Sequence, residues 1–210
     1  MKLTRDELES VFDELGRRAL GEGRQLDIAV YGESALILAS NFRLATADVD
    51  AVATFDQSDV DRIAGDIARE RGWPADWLND GVRTYLSPAV NGVATHHALF
   101  RSYPSEATPG LRVYVPTAEY MLAMKLSALR VGDADQTGKD REDLKSLLKL
   151  CNISTPEAAL EFASAFYSEF ERGARTYPRQ LVKLRGFFDT GVEPAVTPEY
   201  QTGNPPTGTA

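Results

Sequence analysis

Apolar and polar positions recur along this chain with two periods, and the switches between them mark its elements. Leu8, Val11, Phe12, Leu15 and Ala19 follow at helical spacing behind Thr4-Arg5-Asp6-Glu7, a capping-box pattern. They predict an amphipathic helix from Thr4 to Leu20, stopped by Gly21 and Gly23. Leu26–Tyr31 then reads as a strand, Ser34–Asn41 as a short buried helix, and Asp48–Thr54 as a second strand. Val60–Arg71 turns Ile63, Ile67 and Ala68 inward as a helix and stops at Gly72, and Trp73–Asn79 reads as an aromatic loop packed over the sheet. Val82–Pro88, Val93–Phe100 and Leu111–Val115 read as strands spaced to be antiparallel neighbours, so the sheet is expected to be mixed, with helices mainly on one side.

Helical spacing returns after Pro116. Thr117 is placed to cap a helix reaching Arg130, with Tyr120, Met121, Met124 and Ala128 on its buried face. A polar loop, Gly132–Gly138, leads to a helix over Lys139–Leu150 with Leu144, Leu147 and Leu148 inward. Thr155-Pro156-Glu157 begins a further helix reaching Arg172, and Pro178 opens a last one through Phe188. From Gly191 to Ala210 the chain is Pro, Gly and Thr with almost no aliphatics, and is expected to be disordered. The pattern predicts an α+β fold in which a mixed sheet is flanked by helices. Residues 1–150 would form the core with its N-terminal helix, 151–190 a helical extension, and 191–210 a tail.

An apolar content of 43% is that of an ordinary globular protein. A single cysteine, Cys151, rules out an internal disulfide. The first residues lack an apolar leader core and no run approaches a membrane span, so a soluble cytoplasmic protein with no membrane partner is expected. The net charge of −8 changes the picture more, because a protein that grips nucleic acid usually carries a basic face. Arg172, Arg175, Arg179, Lys183 and Arg185 form a basic cluster that admits two readings, an RNA-docking face or a solvated helix surface.

The candidate chemistry lies between Ile28 and Asp50. On a strand, Asp48 and Asp50 share a face, separated by roughly 6–7 Å of rise. Two such charges at about 5 Å repel by about 3 kcal/mol at an effective dielectric of 20, so a site that keeps both ionised needs a cation. Oxygen ligands on a rigid strand suit Mg²⁺. Gly32 lets the chain turn tightly at a strand end, and the amides that follow open a helix N-terminus that favours an anion; Ser34 adds a hydroxyl donor. His96 and His97, the only histidines, would face opposite sides of a strand and cannot jointly hold a metal.

Strand, Gly-Ser-type turn, helix, then Asp-x-Asp on the next strand resembles the opening motif of the polymerase-β-like nucleotidyltransferases. Here it reads Gly32-Glu33-Ser34, then Arg43, Thr46, Asp48 and Asp50. Asp76-Trp77-Leu78-Asn79-Asp80, then Pro116-Thr117-Ala118-Glu119-Tyr120 leading to Lys125, then Lys139-Asp140-Arg141-Glu142-Asp143-Leu144 extend the likeness. Together they resemble a bacterial nucleotidyltransferase-like family related to the AbiEii-type toxins of toxin–antitoxin systems, over about 60% of the chain. The resemblance implies a polymerase-β-like core that binds an NTP through Gly32, Ser34, Arg43 and Thr46. It implies Mg²⁺ on Asp48 and Asp50, and an active-site Lys125 paired with Asp143 or Asp140. Glu33 departs from the family pattern, and a third strand carboxylate, common in the wider superfamily, is missing from the three strand-like runs after Asn79.

The expected reaction is transfer of a nucleotidyl group from an NTP to a hydroxyl. By resemblance the acceptor is a tRNA 3′ end, the role that of a toxin, and the partner a cognate antitoxin. The acidic balance favours a small cationic acceptor instead, as in antibiotic nucleotidyltransferases. Glu33 and the missing carboxylate favour a non-catalytic binding protein that keeps the fold.

Overall fold

The computed structural model of the chain describes residues 1–41, 43–90, 92–129 and 138–201. Most of the loop expected at 132–138, the expected helix end at Arg130, and 202–210 of the expected tail lie outside the described residues. The chain divides into two compact units, the first built from Met1–Thr84 and Gly92–Thr117 with Gln201, the second from Tyr85–Asn91 and Ala118–Tyr200. The sequence pattern suggests a division at residue 150, whereas the packing divides the chain where Thr117 gives way to Ala118.

In the first unit, α1 (Arg5–Gly21) starts at the expected capping box: Glu7 N donates to Thr4 Oγ1 at 3.4 Å and Thr4 N to Glu7 Oε2 at 2.7 Å. β1 (Leu26–Val30), α2 (Gly32–Ala39), β2 (Val49–Ala53) and α3 (Gln57–Arg71) follow, then β3 (Leu78–Asn79), β4 (His97–Tyr103) and β5 (Leu111–Pro116). The sheet order is β3-β2-β1-β5-β4. β1 runs antiparallel to β2 and parallel to β5, β2 parallel to β3, and β4 antiparallel to β5, so the sheet is mixed and the class is α+β, as expected. α1 packs on β4 and β5, α2 on β2 and β5, and α3 on β2 and β3. α1 meets the β4–β5 hairpin backbone to backbone, since a Cβ on Gly110 would lie 1.9 Å from Gly16 O.

Two strand expectations need correction. Gly81–Tyr85 is a 3₁₀ helix with no buried residue, not a strand: Val82 and Tyr85, three apart, give a strand no single apolar face to bury. The strand expected from Val93 begins only at His97, after Gly92 and His96 turn the chain through φ +54° and +58°. β3 replaces the lost strand, inside the segment expected as a loop, and beside it Trp77 is buried with Nε1 donating to Ala64 O at 3.0 Å.

The second unit is helical: α4 (Ala118–Ala128), α5 (Gly138–Leu150), α6 (Pro156–Ser164), a 3₁₀ turn at Ser168–Phe170, and α7 (Tyr177–Asp189). Thr155 caps α6 as expected, its Oγ1 accepting from Ala158 N at 3.2 Å, but the helix ends eight residues before Arg172. α4 packs on α5 and α6, buries Leu122, Ala123 and Leu126 beside Tyr120 and Met121, and leaves Ala128 exposed. Tyr120 stacks on Phe166 at 5.5 Å and accepts from Ser87 N at 3.0 Å. Of the expected tail, Glu193 meets Lys149 at 3.2 Å and Ala195 N donates to Glu142 Oε2 at 3.2 Å. Among the described residues no helix is long and apolar enough to cross a membrane.

Candidate functional site

The end of β1 builds the site's backbone. Tyr31 N donates to Asp50 O at 2.8 Å, and Tyr31 O accepts from Ala35 N at 3.2 Å, so one residue ties β2 to the first turn of α2. Gly32 follows with φ +60°, a conformation that costs an L-residue roughly 1–2 kcal/mol. Its missing side chain also makes room: a Cβ there would lie 2.7 Å from Asp50 Oδ2. A larger residue would therefore cover the carboxylate that the chain leaves accessible.

Asp48 stands one residue before β2 rather than on it. Its position comes from hydroxyl groups instead of the ladder. Ser34, 1% exposed on α2, donates to Asp48 O at 2.7 Å, and Thr46 Oγ1 donates to the same oxygen at 3.1 Å. Thr46 Oγ1 also lies 3.5 Å from Asp48 Oδ1, and its backbone is bridged to Leu3 in both directions. Ser34 and Thr46, expected to contact phosphate, are here the groups that fix Asp48, while the Asp48 side chain stays exposed.

The electrostatics are those of crowded anions. Burial pushes the Asp50 carboxyl above its ordinary value, and the negative charges of Asp48 and Glu33 push the same way. Glu33 stands in the first turn of α2 and pairs with the buried Arg43, Glu33 Oε1 to Arg43 Nη1 being 3.4 Å. Gly32, Ser34, Arg43, Thr46, Asp48 and Asp50 are thus gathered at one sheet end, with Glu33 among them.

Two hard carboxylates and the slot beside Asp50 Oδ2 fit a small dication. No group of three His, Cys, Asp or Glu placed to hold a metal occurs among the described residues. β4 and β5 carry no Asp or Glu. Asp27 on β1 is held by Arg112 on β5 through contacts of 2.6 and 2.5 Å.

Lys125, Asp140 and Asp143 form a cluster of their own in the second unit. Lys125 Nζ on α4 donates to Asp140 Oδ1 at 2.9 Å and to Asp143 Oδ2 at 3.0 Å, both on α5. Asp143 is 2% exposed and Asp140 half-buried. The pairing expected of the lysine is present, and it is made to both aspartates.

Sequence reasoning gave Tyr31 and His97 no role. Tyr31 is buried, and its hydroxyl lies 2.9 Å from His97 Nε2, with the two rings edge to face at 5.5 Å. His97 Nδ1 lies 2.9 Å from Thr95 O and must donate there, so Nε2 accepts from Tyr31 when the ring is neutral. Burial pushes the His97 pKa below its ordinary value, which favours that neutral form. The residue that joins Asp50 to α2 is thus anchored at both ends. Nothing in the local pattern marks this pair, because β5 lies between β1 and β4.

No family model and no curated protein matches the chain. Among solved structures it is similar to an antigenic nucleotidyltransferase-like protein from Paracoccidioides brasiliensis, at 16% identity and a TM-score of 0.45, over 88% of this chain and 95% of the other. A likeness that loose adds nothing to what the chain's own residues say, and the functional reading rests on the site itself.

Proposed function

We propose that the first unit is the nucleotide-binding core of a Mg²⁺-dependent nucleotidyltransferase of the polymerase-β-like kind, related to the AbiEii-type toxins. One observation carries this reading: the Gly32 turn packs on Asp50 while Ser34, from the same helix, holds the Asp48 carbonyl. The turn that would bind phosphate and the two carboxylates that would hold metal are thereby tied to the same helix. Asp48 and Asp50 would hold Mg²⁺, which when bound supplies charge neutralisation at the phosphates and a lowered pKa for the attacking hydroxyl. The α2 amides after Gly32 and the Arg43 guanidinium would bind phosphate oxygens. In the reaction the acceptor oxygen forms a bond to the α-phosphorus, the bond to the β-phosphate oxygen breaks, and pyrophosphate leaves.

The hydroxyl's proton needs an acceptor, and β4 and β5 offer no carboxylate. Either Asp143 or Asp140, which the family resemblance pairs with Lys125, takes that role, or the metal alone lowers the hydroxyl's pKa far enough; Lys125 would offset negative charge in the transition state. The same resemblance names a tRNA 3′ end as acceptor and a cognate antitoxin as partner. The net charge of −8 favours a small cationic acceptor instead. The absence of acid from β4 and β5, with Glu33 at the phosphate turn, favours a second reading, a protein that binds Mg·NTP without turning it over.

Incubating the protein with Mg²⁺, each α-labelled NTP in turn and total bacterial tRNA, beside Asp48→Ala/Asp50→Ala, separates these. Label on tRNA only with the unmutated chain establishes transfer and identifies the nucleotide. Binding without label on tRNA leaves the small acceptor or the binding protein, and no binding at all ends the nucleotidyltransferase reading.

A further inference from the structure

The segment Asp76-Trp77-Leu78-Asn79-Asp80 plays no part in the function proposed above, yet the sheet brings it to the site. β3 lies parallel to β2, with Val49 opposite Leu78 and Asp50 opposite Asn79. Two bonds fix that register: Val49 N donates to Trp77 O at 2.7 Å, and the Trp77 ring is held by Ala64 O. Side chains alternate along a strand, and opposed residues of neighbouring strands share a face, about 4.8 Å apart. Val49 and Leu78 are buried on one face, so Asn79 stands beside Asp50 on the other, both half-buried. A slip of one residue would put Leu78 or Asp80 there instead.

The carboxamide of Asn79 is fixed by one end. Its Oδ1 accepts from Gly81 N at 3.0 Å at the start of the 3₁₀ turn, and a Cβ on Gly81 would lie 3.0 Å from the same oxygen. The nitrogen is less committed: Nδ2 donates to Asp76 O at 3.4 Å, a long contact open to solvent, and has no other partner among the described residues. One of its two N–H groups is thus left over. The turn needs only an oxygen, which Asp or Ser would supply as well, so the turn does not explain the nitrogen. Asp50 already stands among the negative charges of Asp48 and Glu33, and a neutral donor beside it adds no repulsion. We propose that Asn79 is a binding residue of this site, its Nδ2 donating to an oxygen of the nucleotide held at Asp48 and Asp50. The inference rests on the nucleotidyltransferase reading above. Phosphate and sugar oxygens of such a nucleotide come to the face that Asn79 shares, where they accept and Nδ2 donates.

Calorimetric titration with each Mg·NTP, and with Mg²⁺ and inorganic tripolyphosphate, tests this in the unmutated chain, Asn79→Ala and Asn79→Asp. Asn79→Asp keeps an oxygen for Gly81 N and replaces the donor with a negative charge. Both variants are expected to weaken binding of the Mg·NTP that the unmutated chain binds. Asn79→Ala should do so about fivefold, the worth of one neutral hydrogen bond, and Asn79→Asp by a larger factor. An equal loss with tripolyphosphate assigns the bond to a phosphate oxygen, and a loss confined to the NTP assigns it to the nucleoside. Unchanged binding by Asn79→Ala, or unchanged or tighter binding by Asn79→Asp, overturns the inference and leaves the nucleotide-site reading standing. Should the unmutated chain bind neither tripolyphosphate nor any of the four Mg·NTPs, both fall together.

Discussion

At the scale of single residues, Gly32 couples the two halves of the site. Gly32→Ala would meet both a positive φ and Asp50 Oδ2, so it is expected to destabilise the fold by roughly 1–2 kcal/mol and to weaken Mg²⁺ binding, read by denaturant unfolding and calorimetry. Asp50 and His97 carry pH dependences of opposite sign. Burial, Asp48 and Glu33 raise the Asp50 pKa, so the folded chain holds that proton more tightly than the unfolded chain. Stability is therefore lost as pH rises from the ordinary carboxylate value through the raised one, and Asp50→Asn removes that loss. For His97, lowered by burial, the unfolded chain holds the proton more tightly, and stability falls as pH drops from about 6.5 toward the depressed value. His97→Gln is expected to flatten that limb of a thermal-unfolding profile. Asp48, Asp50, Gly32 and Ser34 were legible in the sequence because spacing on adjoining elements brings them together. Tyr31–His97 was not, because the bond spans β5 and depends on the strand order.

At the scale of elements, Lys125 clamps α4 to α5 through two aspartates, one of them buried. Lys125→Met takes the cation from between those carboxylates and is expected to cost about 3 kcal/mol, of which Asp143→Asn in the same chain recovers a part. A denaturant series on the two single variants and the double variant measures this, and a double cost equal to the sum of the singles would contradict the clamp. Elements with strong periodicity were legible: α1 starts at its capping box and α3 ends at Gly72, whose φ is +65°. The segment after Asn79 was not, for a physical reason. Val82, Tyr85 and Leu86 suit a strand by residue type, yet they pair with no strand of the sheet, and the edge beside β2 is filled by two residues, Leu78 and Asn79, too short to leave a pattern. Register, not propensity, decided those positions.

At the scale of the whole molecule, two compact units divide the candidate residues, with the Asp48–Asp50 group in the first and Lys125 with its aspartates in the second. The net charge of −8 sets a background repulsion of nucleic acid, and part of the basic cluster is paired within the second unit. Arg185 meets Glu157 at 2.7 Å and Arg172 meets Glu161 at 3.5 Å. On the function proposed above, substrate affinity would come from Asp48 and Asp50 with their metal and from the turn at Gly32 rather than from a basic surface. The most direct test is thermal unfolding of the chain with Mg²⁺ and each NTP, beside Asp48→Asn/Asp50→Asn. A ligand at a hundredfold its Kd stabilises by about 2.7 kcal/mol, so at least one Mg·NTP should raise the midpoint of the unmutated chain by several degrees, and only when Mg²⁺ is present. The double variant should show no such rise. Equal shifts in both chains, or none in either, would contradict the assignment of Asp48 and Asp50 to a metal-bound nucleotide.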